Sequence, residues 1–250
     1  MQAPIDCPVC AGQSFSPLFI KNGEPFVRCD ACQLMLINPR PILGQVQETY
    51  DSEYSDHYIK KADKKLKRCA KWVQRVQRKF TQKGRWLDVG CSAGFVVAAA
   101  HKAGFDAYGV EIEPAAVEYA NQALKLPNVV AGVLEGQNYL DAFFDVVSLY
   151  DVIEHVPDLN RIVAELKRIL APNGVIEIRT PDVGHWFTPK DLSSWKEVKP
   201  SEHLYYFDYS TLSRVFANHG LTVANRRLMF KPALDVYFKH GSSPCRRMMI

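Results

Sequence analysis

The chain has 250 residues, 47% of them apolar, enough for one large core or one domain with a small module. Its net charge of +4 argues neither for nor against nucleic acid, and no stretch approaches the roughly 18 apolar residues of a membrane span. Residues 1–8 lack a basic stretch and an apolar core, so they read as no secretory leader, and the expected compartment is the cytoplasm.

The first expected unit, residues 1–41, is rich in Cys, Pro and Gly and needs an external staple. Cys7-x-x-Cys10 and Cys29-x-x-Cys32 stand eighteen residues apart, the spacing at which two knuckles present four thiolates to a structural zinc ion. Four protein ligands leave no open coordination position, so such a Zn²⁺ would fold the module and take no part in chemistry. Cys69, Cys91 and Cys245 fall outside this pattern. Residues 42–83 read as a linker followed by a basic amphipathic helix. Pro39 and Pro41 punctuate its start, an acidic and aromatic stretch covers 48–58, and Leu66, Trp72, Val73, Val76 and Phe80 near helical spacing predict a helix over 59–83. Residues 60–83 carry eleven basic side chains against the single acid Asp63, a pattern that attracts anionic partners or merely solvates a helix face.

From residue 84 onward the pattern predicts alternating strands and helices. Strands are expected at 85–89, 107–110, 129–134, 145–149 and 175–179, and helices at 95–103, 114–124, 159–170 and 210–219. That alternation predicts an α/β, Rossmann-like, doubly wound and mostly parallel sheet. Two further runs, 221–230 and 233–238, predict a terminal antiparallel hairpin broken only at Lys231 and Pro232.

The strongest chemical signal is the turn Asp88-x-Gly90-x-Ser92-x-Gly94, where the first of these strands gives way to a helix. Glycine there allows a tight turn and close approach of a ligand to the main chain. Glu111, twenty-three residues after Asp88, ends the next strand, where a carboxylate can accept hydrogen bonds from both hydroxyls of a ribose. The Gly-x-Gly-x-x-Gly of dinucleotide-binding dehydrogenases is absent.

This acid-led turn resembles motif I of class I S-adenosylmethionine (SAM) dependent methyltransferases. Four further stretches resemble the same family in the same order: Gly109 to Pro114, Phe144 to Val147, Asp151 to Asp158, and the Pro172-Asn173-Gly174 turn. The likeness covers roughly residues 84–240 and is closest to the ubiquinone-biosynthesis-like branch. It implies SAM as cofactor, held by Asp88, Gly90, Cys91, Ser92, Gly94, Glu111, Ile112, Leu134 and Asp151. Asp88 would take the methionine amino group, Glu111 the ribose, and the stretch around Leu134 the adenine. Ser92 replaces a glycine of the motif and is expected to keep ordinary backbone angles; Val133 stands where many relatives place an aspartate. Zinc ribbons ahead of SAM domains also occur among sugar C-methyltransferases, and the resemblance extends to Cys32–Pro41 and to Tyr50-x-x-x-Tyr54, without those enzymes' extra C-terminal domain.

Methyl transfer to a neutral hydroxyl needs a base beside an aligned nucleophile. His155, after the fourth large-domain strand, and His203, in Glu202-His203-Leu204-Tyr205, are the catalytic candidates; each also reads as a packing residue. The long connection 180–201, with His185, Trp186, Phe187 and Trp195, is expected to form an acceptor-binding insert or to pack down on itself. The favoured function is methylation of a small biosynthetic acceptor, phosphorylated or nucleotide-linked acceptors included, with oxygen favoured over nitrogen or carbon. The alternatives are an RNA methyltransferase gripping the backbone through ribbon and basic helix, and a SAM-binding protein without turnover.

Overall fold

The computed structural model describes residues 4–40 and 62–241, which form eleven strands and five α-helices. The acidic stretch 48–58, with Tyr50 and Tyr54, the first residues of the expected basic helix and Cys245 lie outside the described residues.

In the N-terminal module β1 (Phe15–Lys21) and β2 (Glu24–Cys29) are joined by Asn22 and Gly23, with φ of 51° and 79°. Those two left-handed residues are what a two-residue hairpin matched to strand twist requires. β3 (Met35–Ile37) pairs antiparallel with β2. The sheet continues into the large domain: its order is β1-β2-β3-β9, and β9 (Tyr205–Tyr206) comes from the expected 84–250 unit. Val9, Val27 and Leu36 share one buried cluster with Leu204 and Phe207, so ribbon and large domain have a continuous core.

α1 (Ala62–Lys79) buries Cys69, Val73 and Val76 on one stripe and leaves Lys64, Lys67, Lys71 and Lys79 exposed. The second sheet has the order β10-β11-β8-β7-β4-β5-β6, from β4 (Arg85–Val89), β5 (Asp106–Glu111), β6 (Val129–Ala131), β7 (Phe144–Tyr150), β8 (Leu170–Pro181), β10 (Leu221–Arg226) and β11 (Ala233–His240). β6 through β8 are parallel, and only β11 runs against its neighbours. Along β4 Trp86 faces one cluster, with α1, α2 (Phe95–Lys102) and α3 (Pro114–Gln122). Leu87 and Val89 face the other, with α4 (Leu159–Ile169) and α5 (Tyr209–Asn218). Both faces are therefore covered, as a parallel sheet requires.

The departures from expectation are at element ends. β6 stops at Ala131 because Gly132 turns away at φ 127° and donates its N–H to the Glu111 carbonyl; Leu134 then opens a short 3₁₀ turn. The Pro172-Asn173-Gly174 turn is absorbed as a bulge in β8, whose pairing to β7 jumps from Phe144↔Leu170 to Val146↔Val175. The terminal hairpin opens wider than expected, since β10 ends at Arg226 and Leu228 and Phe230 stand exposed.

Candidate active site

The carboxyl ends of β4, β5, β7 and β8 open into a cavity of about 1370 Å³, where open α/β sheets bind ligands. One wall is built from the turn after β4. Gly90 and Cys91 both donate their N–H to the Val110 carbonyl, at 2.8 and 3.1 Å, which folds the turn back onto β5. Gly90 has φ 67°, and a Cβ there would stand 2.4 Å from Val152 Cγ2. No other residue type fits that position without movement.

Ser92 departs from expectation. Its backbone is left-handed, with φ 47°. That conformation costs about 1–2 kcal/mol for an L-residue. The compensation is visible: Ser92 N–H donates to Glu111 Oε2 at 2.7 Å, and a hydrogen bond to a charged group contributes about 1.5–3 kcal/mol. Glu111 Oε1 accepts from Ile112 N–H and Glu113 N–H at 2.7 and 3.1 Å. One carboxylate thus ties the motif turn to the end of β5, with one lone-pair site left over, on Oε2 at the cavity wall.

Asp88 is 3% exposed and accepts from Ser148 Oγ at 2.6 Å; Ser148 in turn takes the Trp86 indole N–H. Burial, with Glu177 and Glu111 nearby, pushes the Asp88 carboxyl up to about 8. Ile112, Leu134 and Asp151 also line the cavity. The Cys91 thiol lies in contact reach of Gly109, and burial raises it well above the ordinary thiol range. Gly94 begins α2 with φ 79°, and a Cβ there would stand 3.0 Å from Ala120 and Leu126, so the absence of a side chain lets α2 pack closely.

The opposite wall brings together residues far apart in sequence. His155 and His203 meet edge to face, their ring centroids 4.6 Å apart. Burial holds His155 at about 4 and His203 at about 3, so both imidazoles are neutral at pH 7. Glu154 accepts from Thr180 Oγ1 at 2.9 Å, and burial raises its carboxyl to about 8. Glu154 Oε1, His155 Nδ1 and His203 Nδ1 are buried without a hydrogen-bond partner among the described residues. The donor atoms of these three residues lie within 4.8 Å of one another, a set that can also hold a metal ion.

The sequence reading missed the wall supplied by α1. Lys65, Arg68 and Trp72 line the cavity. The Trp72 ring lies 4.8 Å from that of Tyr150, with the Arg179 guanidinium 4.1 Å from its centroid. The helical period identified the buried stripe of α1 but carried no signal that its edge borders a cavity. Of the insert aromatics, Phe187 and Trp195 line the cavity, Trp195 almost fully buried, while Trp186 is exposed. His185 is engaged elsewhere: its Nε2 lies 3.0 Å from the Met229 carbonyl and its Nδ1 accepts from Phe187 N–H.

In the N-terminal module the four sulfurs of Cys7, Cys10, Cys29 and Cys32 all lie within 4.8 Å of one another. The separations are 3.4 Å for Cys7–Cys32 and 3.5 Å for Cys10–Cys29. A tetrahedral zinc–thiolate centre with bonds of about 2.3 Å places its sulfurs about 3.8 Å apart, so the donor set fits such an ion. Each knuckle turns through a left-handed residue just after its second cysteine, Ala11 at φ 55° and Gln33 at φ 69°.

A strand order that reverses beside an acid-led turn, with a carboxylate at the end of the next strand, defines a class I methyltransferase fold. The methyltransferase-domain family matches residues 57–225. The ubiquinone biosynthesis O-methyltransferase of Rickettsia prowazekii is 33% identical over 99 residues, 38% of this chain and 38% of that protein. The protein of the same name from Histophilus somni is 28% identical over 165 residues, 56% of this chain and 69% of that one. The chain therefore spans between about a third and two thirds of these relatives. A TehB-like SAM-dependent methyltransferase from Corynebacterium glutamicum shares the fold at a TM-score of 0.57 and 16% identity, over 76% of this chain and all of that one. The chain belongs to the SAM-dependent methyltransferase family. Among the described residues no helix is long and apolar enough to cross a membrane.

Proposed function

We propose that this chain transfers the methyl group of SAM to a hydroxyl of a small aromatic acceptor, with His155 or His203 taking the proton. The observation that carries this reading is the buried, neutral imidazole pair on the wall opposite the Asp88–Ser92 turn. SAM, when bound, supplies an already activated methyl group. The work left to the protein is alignment and removal of the acceptor proton.

In this reading Asp88 receives the methionine ammonium, Glu111 the ribose hydroxyls, and Ile112 and Leu134 flank the adenine. The backbone of Gly90, Cys91 and Ser92 and the Asp151 turn complete the cradle. Trp72, Tyr150 and Trp195 line the cavity and give a planar acceptor aromatic edges to pack against. The acceptor O–H would donate to an imidazole nitrogen, which would take that proton as the methyl group passes from the sulfonium sulfur to the acceptor oxygen and S-adenosylhomocysteine is left. His155, half-buried, is the nearer recipient, and His203, 2% exposed, backs it. The relatives' names support oxygen as the nucleophile. The four cysteines would hold a structural Zn²⁺ with no part in the transfer.

The test pairs calorimetry with turnover. S-adenosylhomocysteine should bind wild type, His155→Ala and His203→Ala alike, while methylation of catechol falls in the variants. Undiminished catechol methylation in both variants would remove the histidine pair from the chemistry.

A further inference from the structure

We infer that three charged residues of the N-terminal module, Lys21, Glu24 and Arg40, are positioning residues for methyl transfer, holding the acceptor-side wall of the cavity in place. The inference rests on the assignment of the His155–His203 wall to the acceptor.

Each of the three reaches across to a different part of that wall. Lys21 Nζ donates to the carbonyls of Ser193 and Val198, at 3.0 and 2.9 Å, on either side of Trp195 in the chain. The Glu24 carboxylate, 6% exposed, accepts from both the N–H and the hydroxyl of Ser201. Ser201 is left-handed, with φ 63°, and lies two residues before His203. Arg40, 9% exposed, donates from Nη1 to the Pro157 carbonyl at 2.5 Å and stacks its guanidinium 4.3 Å from the Tyr205 ring centroid. Pro157 ends the turn that carries His155.

The backbone closes the same circuit. Ile37 N–H of β3 donates to the Leu204 carbonyl at 3.1 Å, and Leu204 N–H donates to the Glu154 carbonyl at 2.8 Å. Both histidines therefore sit on segments whose neighbours are bonded to the module: residues 154–157 through Arg40 and β9, residues 193–206 through Lys21, Glu24 and β3. Phe26, Met35 and Ile37 pack against Trp195, Val198 and Tyr206, so the polar ties bracket one apolar contact. The cofactor cradle is held differently, by Ser148, Val110 and the Glu111 carboxylate within its own sheet.

A generic fold-stabilising patch would place such ties without regard to the site. Here three buried or half-buried charges, each worth more as a hydrogen-bonding partner than a neutral group, end on the carbonyls and the strained amide that shape one wall. Their effect should appear in alignment of the acceptor and its base, not in cofactor affinity.

The experiment uses the full chain with Arg40→Met, Arg40→Lys, Glu24→Gln and Lys21→Met. Three readouts are compared: S-adenosylhomocysteine affinity by calorimetry, hydrogen exchange by mass spectrometry, and kcat and KM with catechol and SAM. The expected result is unchanged S-adenosylhomocysteine affinity, with faster exchange confined to residues 154–158 and 192–206. Catechol turnover should fall about tenfold to a hundredfold in Arg40→Met, as misplacement by about 1 Å can cost, with the KM for SAM unchanged. Arg40→Lys should recover part of that loss, since it restores a donor to Pro157. Wild-type exchange in both segments in all variants would overturn the inference. So would weakened S-adenosylhomocysteine binding or faster exchange across the whole chain, which would make these residues general stabilisers. If wild type does not methylate catechol, the proposed acceptor fails, and confined exchange with intact S-adenosylhomocysteine affinity still upholds the positioning role.

Discussion

The two walls of the cavity are built on opposite principles. The wall proposed to hold the cofactor is local: Asp88, Gly90 and Ser92 lie in one turn, and the carboxylate that ties it is on the adjacent strand. Its ties are short bonds within one parallel sheet, buried on both faces. The wall proposed to take the acceptor is assembled from α1, the 151–157 turn and the insert before β9, and the N-terminal module braces it from behind, with Arg40 reaching Pro157 and Lys21 reaching Ser193 and Val198. Local construction gives a rigid recognition site for an invariant cofactor. Construction from distant segments lets the acceptor pocket change without disturbing that site.

The largest expected effect lies on the acceptor wall. His155→Ala or His203→Ala, whichever is the base, should lower kcat about 10²–10⁴-fold, with S-adenosylhomocysteine affinity unchanged by calorimetry. The pH profile sharpens this. Burial holds the pair at about 4 and 3, so with SAM saturating the acid limb of kcat/KM for the acceptor should fall well below 6.5. The same depression makes the neutral rings' contribution to stability complete above pH 6.5 and lost as pH falls toward those values. An acid limb near 6.5 would place the working imidazole in water and break the contrast between the walls.

Next comes the cofactor wall. Glu111→Ala strands the N–H groups of Ser92, Ile112 and Glu113, at about 1–3 kcal/mol for each one left unsatisfied, and leaves Ser92 left-handed without its compensation. S-adenosylhomocysteine affinity should fall about a hundredfold or more, since every 1.4 kcal/mol is tenfold. Near-normal binding would mean that the turn holds itself. Asp88 offers a gentler probe. Its carboxyl, pushed up to about 8, must ionise to receive an ammonium group, so affinity should weaken as pH falls below that value. The limit is about tenfold per unit, and Asp88→Asn should flatten the dependence. In the ligand-free protein the sign is opposite: the raised carboxyls of Asp88 and Glu154 favour the fold at acid pH, and that contribution is lost as pH rises through about 8. Melting temperatures from pH 6 to 9, with and without ligand, test both signs.

These walls also differ in how far the sequence announces them. The Asp88–Gly94 turn, Glu111 and the paired cysteines were readable because each packs its chemistry into a few neighbouring residues. The alternation of apolar runs sufficed for the seven-stranded sheet. Trp72 gave no such sign, because the helical period reports which stripe is buried and not what lies at its edge. The meeting of His155 with His203 depends on β9, a two-residue strand that pairs with β3 from the other end of the chain. No local pattern encodes that pairing. Ser92 misled for a related reason: a left-handed serine is unfavourable alone and becomes favourable only when a distant carboxylate accepts its N–H.

A smaller effect on the cofactor wall is expected from the module. With the proposed zinc at the four cysteines, Cys29→Ser or chelation should unfold the ribbon, because a small module of this kind would draw its folding free energy from the metal. Since Val9, Val27 and Leu36 share a core with Leu204 and Phe207, the melting temperature of the whole chain should drop as well. S-adenosylhomocysteine affinity, measured below that melting point, should change little. Loss of affinity in step with loss of metal would show that the walls are not independent.

The smallest effect concerns Ser92 itself. Ser92→Gly removes a left-handed strain of about 1–2 kcal/mol but adds about 0.5–1 kcal/mol of chain entropy to be lost on folding. The hydrogen bond to Glu111 comes from the backbone and survives the change. The two contributions nearly cancel, so the melting temperature should rise slightly or stay level, and S-adenosylhomocysteine affinity should be unaltered. Ser92→Val is the informative contrast: a β-branched side chain tolerates φ 47° poorly, and the same backbone bond must then hold against greater strain. Affinity lost in Ser92→Gly but not explained by stability would give the serine hydroxyl a direct role at the cofactor. Affinity kept in Ser92→Gly and lost in Ser92→Val would assign the position to backbone shape alone, set by Glu111.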